Sequence, residues 1–233
     1  MKKKKSNMYA NAKTWNPFRG CYFDCIYCRP SFKKQSKRQR HLCMKCYTYT
    51  PHFHEERLGR IPSDPIIFVC GISDICFCPV PFIKKIINAI KLRNEKYPNK
   101  IYYFQSKNPI YFKKFMKELP NNCILLMTLE TNRDKGYREI SHAPVPSKRY
   151  KDFKNLKYPR KVVTIEPLMD FDLPVLGKWI KSINPEYVWL GLNSKPKSVQ
   201  LPEPSADKIR QLIKYLKKNK IQINRKELRG IIC

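Results

Sequence analysis

A chain of 233 residues with 42% hydrophobic and 12% aromatic side chains can bury the core of one α/β domain, and a charged fraction of 28% excludes disorder over most of its length. Lysine and arginine number 48 against 18 aspartates and glutamates; this net charge of +30 favours polyanions and makes a nucleic acid or nucleotide the expected partner. No run approaches the ~20 apolar residues of a membrane span, and no apolar stretch follows the basic start Lys2–Lys5, so neither a membrane location nor export is expected and the reading is cytoplasmic.

In chain order, the first predicted element is a strand around Met8–Trp15, just ahead of a cysteine-rich loop. Five apolar runs follow: Ile66–Cys70, Ile101–Phe104, Cys123–Leu129, Lys161–Ile165 and Tyr187–Leu192. They are continuous rather than alternating, as parallel strands buried on both faces are. Helical spacing of apolar residues predicts helices over Pro81–Lys96, Ile110–Leu119 and Ser205–Lys218, the last with Ser205 as its cap. Strand–helix alternation of this kind predicts an α/β fold, an open, partial (β/α)6 TIM-like barrel in one domain spanning 1–233. Two basic segments, 29–63 and 131–159, break the alternation. They are expected as insertions on the C-terminal face of the strands, where barrel sites are built.

The cysteines cluster, and in a reducing compartment clustered thiols bind metal more often than they form disulfides. Cys21, Cys25 and Cys28 stand in the spacing Cys-x3-Cys-x2-Cys. A short loop of that spacing can wrap three corners of a [4Fe–4S] cluster with soft thiolates and leave the fourth iron open to a small molecule. With Tyr27 just before the third cysteine, the loop resembles the signature of the radical S-adenosylmethionine (SAM) superfamily. More narrowly, Thr14-Trp15-Asn16-Pro17, Gly20-Cys21, Ser73-Asp74, Ser106-Lys107-Asn108-Pro109 and Glu166-Pro167-Leu168 resemble a phage and prokaryotic radical SAM family related to spore photoproduct lyase.

The resemblance, which runs from about Thr14 to Asn193, implies an enzyme that binds SAM at the open iron. One electron, from a donor such as flavodoxin or ferredoxin, then cleaves SAM to a 5′-deoxyadenosyl radical that abstracts hydrogen from substrate. It implies Tyr27 near the adenine, Gly71, Ser73 and Asp74 near the SAM amine, and Ser106 and Lys107 near the methionine carboxylate. Thr128 and Glu130 are implied at the ribose, and Glu166 and Asn193 toward SAM or substrate. The superfamily's Gly-Gly-Glu-like turn is replaced here by Gly71-Ile72-Ser73-Asp74.

Cys43, Cys46, Cys76 and Cys78 form two further close pairs, the right number for a structural zinc or a second iron–sulfur cluster, with His41, His52 and His54 as spare ligands. Cys70 and Cys123 lie in apolar runs and read as core. The cationic runs Phe32–His41 and Lys148–Lys161, with Tyr47, Tyr49, Phe53 and Tyr150 nearby, suit phosphates and stacked bases. The first functional expectation is therefore radical SAM modification or repair of a nucleic acid or nucleotide. A second is the same catalyst acting on a peptide or small metabolite, with the charge reflecting a coding bias toward lysine. A third is a zinc-ribbon nucleic-acid-binding protein without catalysis, built on Cys25, Cys28, Cys43 and Cys46.

Overall fold

The computed structural model describes residues 12–226 and 228–231; the basic start, Met8–Asn11 and Cys233 lie outside them. Seven strands form one wholly parallel sheet in sequential order: β1 (Ala12–Trp15), β4 (Ile66–Val69), β5 (Ile101–Ser106), β6 (Cys123–Thr128), β7 (Lys161–Ile165), β8 (Tyr187–Leu190) and β9 (Ile223–Arg225). Among the described residues no pairing joins β1 to β9, so the sheet is a curled, open barrel.

The continuous apolar runs follow from burial on both faces. Alternate residues such as Ile67, Phe104, Leu125, Val163 and Val188 meet the helices in the main core. Their neighbours Phe68, Tyr103, Ile124, Leu126 and Val162 pack together on the other face. The helices α3 (Val80–Lys96), α6 (Leu173–Ile183) and α7 (Ala206–Lys218) each bury one stripe against the sheet. In α7 the stripe is Ile209, Leu212, Ile213 and Leu216, and the Ser205 side chain accepts from the Lys208 amide as predicted.

Several expectations change, and β6 and β8 also end at Thr128 and Leu190, short of their apolar runs. Strand β4 ends a residue early because Cys70 turns left-handed, at φ 55°. The helix expected over Ile110–Leu119 is two 3₁₀ turns, Pro109–Lys114 and Met116–Glu118, broken at Phe115. The three-residue period still puts Phe112 and Phe115 on one buried side. Strand β9 and helix α6 were not expected: β9 is short and polar, and α6 carries Pro174 and Gly177. The segment 131–159 is not only loop; it holds α4 (Tyr137–Ile140) and α5 (Pro146–Lys154).

The insertion 29–63 is also ordered. It contains α1 (Lys34–Ser36) and α2 (Met44–Thr48), then β3 (His52–Phe53), which pairs antiparallel with β2 (Phe18–Arg19) just ahead of the cysteine loop. Gly20 sits at φ +95°, and a Cβ there would lie 2.4 Å from the carbonyl carbon and oxygen of Thr50. Gly20→Ala should therefore cost at least about 2 kcal/mol, from backbone strain plus displacement of the returning chain. Urea denaturation should show this loss beside an unchanged Gly59→Ala, whose Cβ meets nothing within 4 Å.

Candidate active site

The cysteine loop leaves β1 and β2 and crosses the C-terminal ends of β4, β5 and β6. Its best-anchored thiol is Cys25, 4% exposed. Lys107, just past β5, places its Nζ 3.2 Å from the Cys25 sulfur, and the Ser141 hydroxyl lies 3.1 Å from it. Phe23, Tyr137, Ala143 and Met169 form an apolar wall around it, with Cys21, Tyr27, Cys28 and Cys76 at its margin.

A cation and a hydroxyl beside a sulfur favour thiolate. The Cys28 thiol, hydrogen-bonded to Cys25, pulls Cys25 below the usual thiol range; burial opposes this, and Lys107 and Ser141 add to it. The same Cys25 contact raises Cys28, and burial raises Cys21. Three thiols near enough to perturb one another, one of them poised as thiolate, suit a cluster that takes each thiolate on a different iron and releases their protons on binding.

Behind the loop lies a fully buried carboxylate. Glu130, just past β6, accepts from Lys107 Nζ at 2.7 Å, Tyr137 at 3.1 Å, Arg149 Nη1 at 2.7 Å, and the Tyr27 hydroxyl. Burial pushes its pKa up, but Arg149 and Lys107 overcome this and hold it at about 2. Burial likewise opposes the charge of Lys107, yet the Cys25 sulfur and Glu130 keep its pKa above the ordinary lysine value. Lys107 also lies 4.4 Å from the centroid of the Tyr27 ring, so one cation ties thiol, carboxylate and ring together.

A second buried carboxylate, Asp74, shapes the turn after β4. It accepts from the Ser106 hydroxyl at 2.6 Å, the Lys107 amide at 2.8 Å and the Cys76 amide at 3.0 Å. Burial raises its pKa despite these donors. Ser73 donates to Cys70 O at 2.8 Å, and a bridge pairs it with Gly20. At Gly71 a Cβ would lie 2.5 Å from Phe68, so the turn needs glycine for space.

Of the residues expected at SAM, Tyr27, Gly71, Ser73, Asp74, Ser106, Lys107, Thr128 and Glu130 thus gather at the ends of β4, β5 and β6. Thr128 is 3% exposed; its hydroxyl accepts from Gln105 and its carbonyl from Arg149. Glu166 and Asn193 take separate tasks. Glu166 pairs with Lys226 at 2.7 Å, and Asn193 pins its own loop by donating to Val199 O at 2.7 Å and accepting from the Lys195 amide at 2.9 Å.

Arg149, Tyr137 and Ser141 join the site without having been expected in it. Arg149 sat in a cationic run assigned to phosphates, but it is fully buried as the partner of Glu130. Its Nε and Nη2 have no hydrogen-bond partner among the described residues, and its guanidinium lies 4.8 Å from the Tyr137 ring centroid. Three of the four aromatics expected to stack on bases are also committed internally, whereas Tyr47 stays half exposed with Lys37 over its ring. Tyr49 is buried and donates to Ile72 O, Phe53 stacks on Phe82, and Tyr150 stacks on Trp179.

The four-cysteine second site does not assemble. Cys78 is fully buried in the main core, and Cys76 packs beside Cys21 and Cys28. Cys43 and Cys46 instead meet His52 and His54. The zinc ribbon fails on the same geometry, because Cys25 lies against Lys107 and Ser141 while Cys43 and Cys46 belong to the histidine cluster.

No protein-family profile matches the chain, and no curated protein is similar to it in sequence. Two solved radical SAM enzymes share its fold. One is SuiB of Streptococcus suis, solved bound to the precursor peptide SuiA, with TM-score 0.59 and 11% identity over 94% of this chain and 49% of that one. The other is a radical SAM methyltransferase of Sphaerobacter thermophilus, with TM-score 0.60 and 14% identity over 96% and 69% of the two chains. The chain therefore spans about half the length of SuiB. At these identities the likeness shows the fold: this chain has the partial α/β barrel of radical SAM enzymes.

Proposed function

We propose that the protein is a radical SAM enzyme that holds a [4Fe–4S] cluster on Cys21, Cys25 and Cys28 and acts on a peptide. The observation that carries this reading is Lys107. Its ammonium lies 3.2 Å from the Cys25 sulfur and 2.7 Å from Glu130, so it joins the thiol loop to the strand ends of a radical SAM barrel.

Cys21, Cys25 and Cys28 would hold the cluster, whose reduced form would supply the one electron needed to cleave SAM into methionine and a radical able to take hydrogen from substrate. The chain's own residues do the rest. Lys107 donates to the Cys25 sulfur, and against a cluster-bound thiolate the Ser141 hydroxyl 3.1 Å away would donate as well, drawing charge off the sulfur and tuning the site. Lys107 also offers a cation where a carboxylate bound beside the thiols would need one. Asp74 fixes the turn after β4 against Ser106 and the Lys107 amide, and Tyr27 is oriented by its bond to Glu130. Phe23, Tyr137, Ala143 and Met169 keep water from the buried thiol.

A peptide substrate is supported by the shared fold with SuiB and by the internal engagement of Tyr49, Phe53 and Tyr150, three of the four aromatics that bases would have needed. The excess of cations suits an acidic peptide. A nucleic acid is the second reading, favoured by the exposed Lys34, Lys37, Arg38 and Arg40.

Anaerobic reconstitution followed by reduction tests the catalyst. The expected result is about four irons per chain and 5′-deoxyadenosine formed from SAM. Iron-replete, reduced protein that leaves SAM intact refutes the proposal. Deoxyadenosine formation stimulated by acidic peptides but not by single-stranded DNA or RNA supports the peptide; the reverse pattern selects the nucleic acid.

A further inference from the structure

Within the insertion, Cys43, Cys46, His52 and His54 bring four ligand atoms within 4.8 Å of one another, the one such group among the described residues. The Cys46 sulfur lies 3.3 Å from His52 Nε2 and 3.1 Å from His54 Nε2, and the Cys43 sulfur lies 3.4 Å from His52 Nε2. Cys46 and His54 are buried, at 2% and 8% exposure.

The imidazole partners determine which nitrogens are free. His52 Nδ1 lies 2.7 Å from the Thr50 carbonyl oxygen, which can only accept, so Nδ1 carries the proton. His54 Nδ1 lies 2.9 Å from the Glu56 carboxylate, which makes the same demand. Both Nε2 atoms of the neutral rings then present lone pairs, and they face each other at 2.7 Å. Two acceptors at that distance repel unless a cation lies between them. The outer contacts are those that orient metal-bound histidines: one ring N–H to a backbone carbonyl, the other to a carboxylate.

We propose that Cys43, Cys46, His52 and His54 bind one structural zinc ion that fastens the cysteine loop of the active site. Two thiolates and two imidazoles make a closed, tetrahedral Cys2His2 set, with all four positions filled by protein. At ordinary Zn–S and Zn–N lengths the ligand atoms stand about 3.3–3.8 Å apart, so binding separates the two imidazole nitrogens, now 2.7 Å apart, by about 0.6 Å and shifts the sulfur–nitrogen contacts by less. The Cys46 amide points at the Cys43 sulfur at 3.4 Å, where it supports a thiolate. A two-iron cluster fits poorly, because it would segregate sulfur and nitrogen ligands on separate irons, whereas Cys46 here touches both histidines.

The consequence is mechanical. His52 lies on β3, whose partner β2 ends two residues before Cys21. The Cys21 amide donates to Tyr49 O at 3.3 Å, and Gly20 lies against Thr50 and Pro51. A metal that ties residues 43–54 together therefore holds the strap on which Cys21 rests.

The test is metal analysis of the full chain carrying Cys21→Ala, Cys25→Ala and Cys28→Ala, so that zinc is counted apart from any cluster. One zinc per chain should survive dialysis against EDTA, and cobalt(II) loaded in its place should show the visible bands of a tetrahedral thiolate site. His52→Ala or Cys43→Ser should lose the metal, whereas Cys76→Ser should keep it. In the wild-type chain, His52→Ala should also slow iron loading without preventing it. Folded protein grown with zinc that holds less than a tenth of an equivalent overturns the proposal, as does iron in place of zinc. So does zinc that persists in His52→Ala and Cys43→Ser but is lost from Cys76→Ser. Because the count is made without the active-site thiols, it is independent of whether the protein cleaves SAM.

Discussion

Replacing Cys21, Cys25 and Cys28 together by alanine should abolish iron loading and bring 5′-deoxyadenosine formation to background while the barrel stays folded. The separation of effects follows from where the thiols sit. The main core of the barrel, with Ile67, Phe104, Leu125, Val163 and their helical partners, is a cluster distinct from the one around Cys25. Of the three thiols only Cys25 is buried, so the stability cost falls mainly there. In its absence Lys107 keeps Glu130 as a partner and does not become an unpaired buried charge. Iron analysis, product chromatography and circular dichroism of the triple variant read the three quantities separately. Retention of both iron and SAM cleavage would remove the basis of the proposed function. Ser141→Ala is the milder companion: it should load iron normally but shift the cluster's potential, because one hydrogen bond to sulfur is lost.

Glu130→Gln should cost about 3–5 kcal/mol of folding stability, the penalty for removing one partner of a buried ion pair. Arg149 and Glu130 are both fully buried, and Lys107 is 11% exposed by its side chain, so neither cation can turn to water instead. The pair also carries a pH signature. The folded carboxyl titrates at about 2, below its ordinary 4.5. Its contribution is therefore complete above pH 4.5 and is lost as the pH falls toward 2. Urea unfolding of the wild type minus that of Glu130→Gln should show a difference that is constant near neutrality and shrinks on that acid limb. Changing both partners, Glu130→Leu with Arg149→Met, should recover part of the loss, because Arg149 is no longer left unpaired, while Lys107 keeps only the Cys25 sulfur. A flat difference across the acid range, or a double variant no better than the single, would show that Glu130 is not held by these cations.

The sequence by itself determined the strand–helix alternation, the parallel order of the sheet, the cap at Ser205 and the spacing of Cys21, Cys25 and Cys28. Those features are local: a buried strand needs a continuous apolar run, a helix needs its stripe, and a cluster loop needs thiols a few residues apart. The weaker local signals failed for the same reason. Strand β9 is three residues long and two of them, Asn224 and Arg225, are polar, and α6 is masked by Pro174 and Gly177.

Only the tertiary structure decided which polar residues meet. Lys107 reaches Cys25 across 82 positions, Tyr27 reaches Glu130 across 103, and Ser141 reaches Cys25 across 116. It turned Arg149 from a surface cation into a buried counterion, sent Cys78 to the core, and gave Cys43 and Cys46 two histidines in place of two cysteines. Cysteine, histidine and arginine look alike in sequence whether solvated, buried or bound to metal. What separates those fates is the field and the partners that distant segments bring, and these exist only once the chain has closed on itself.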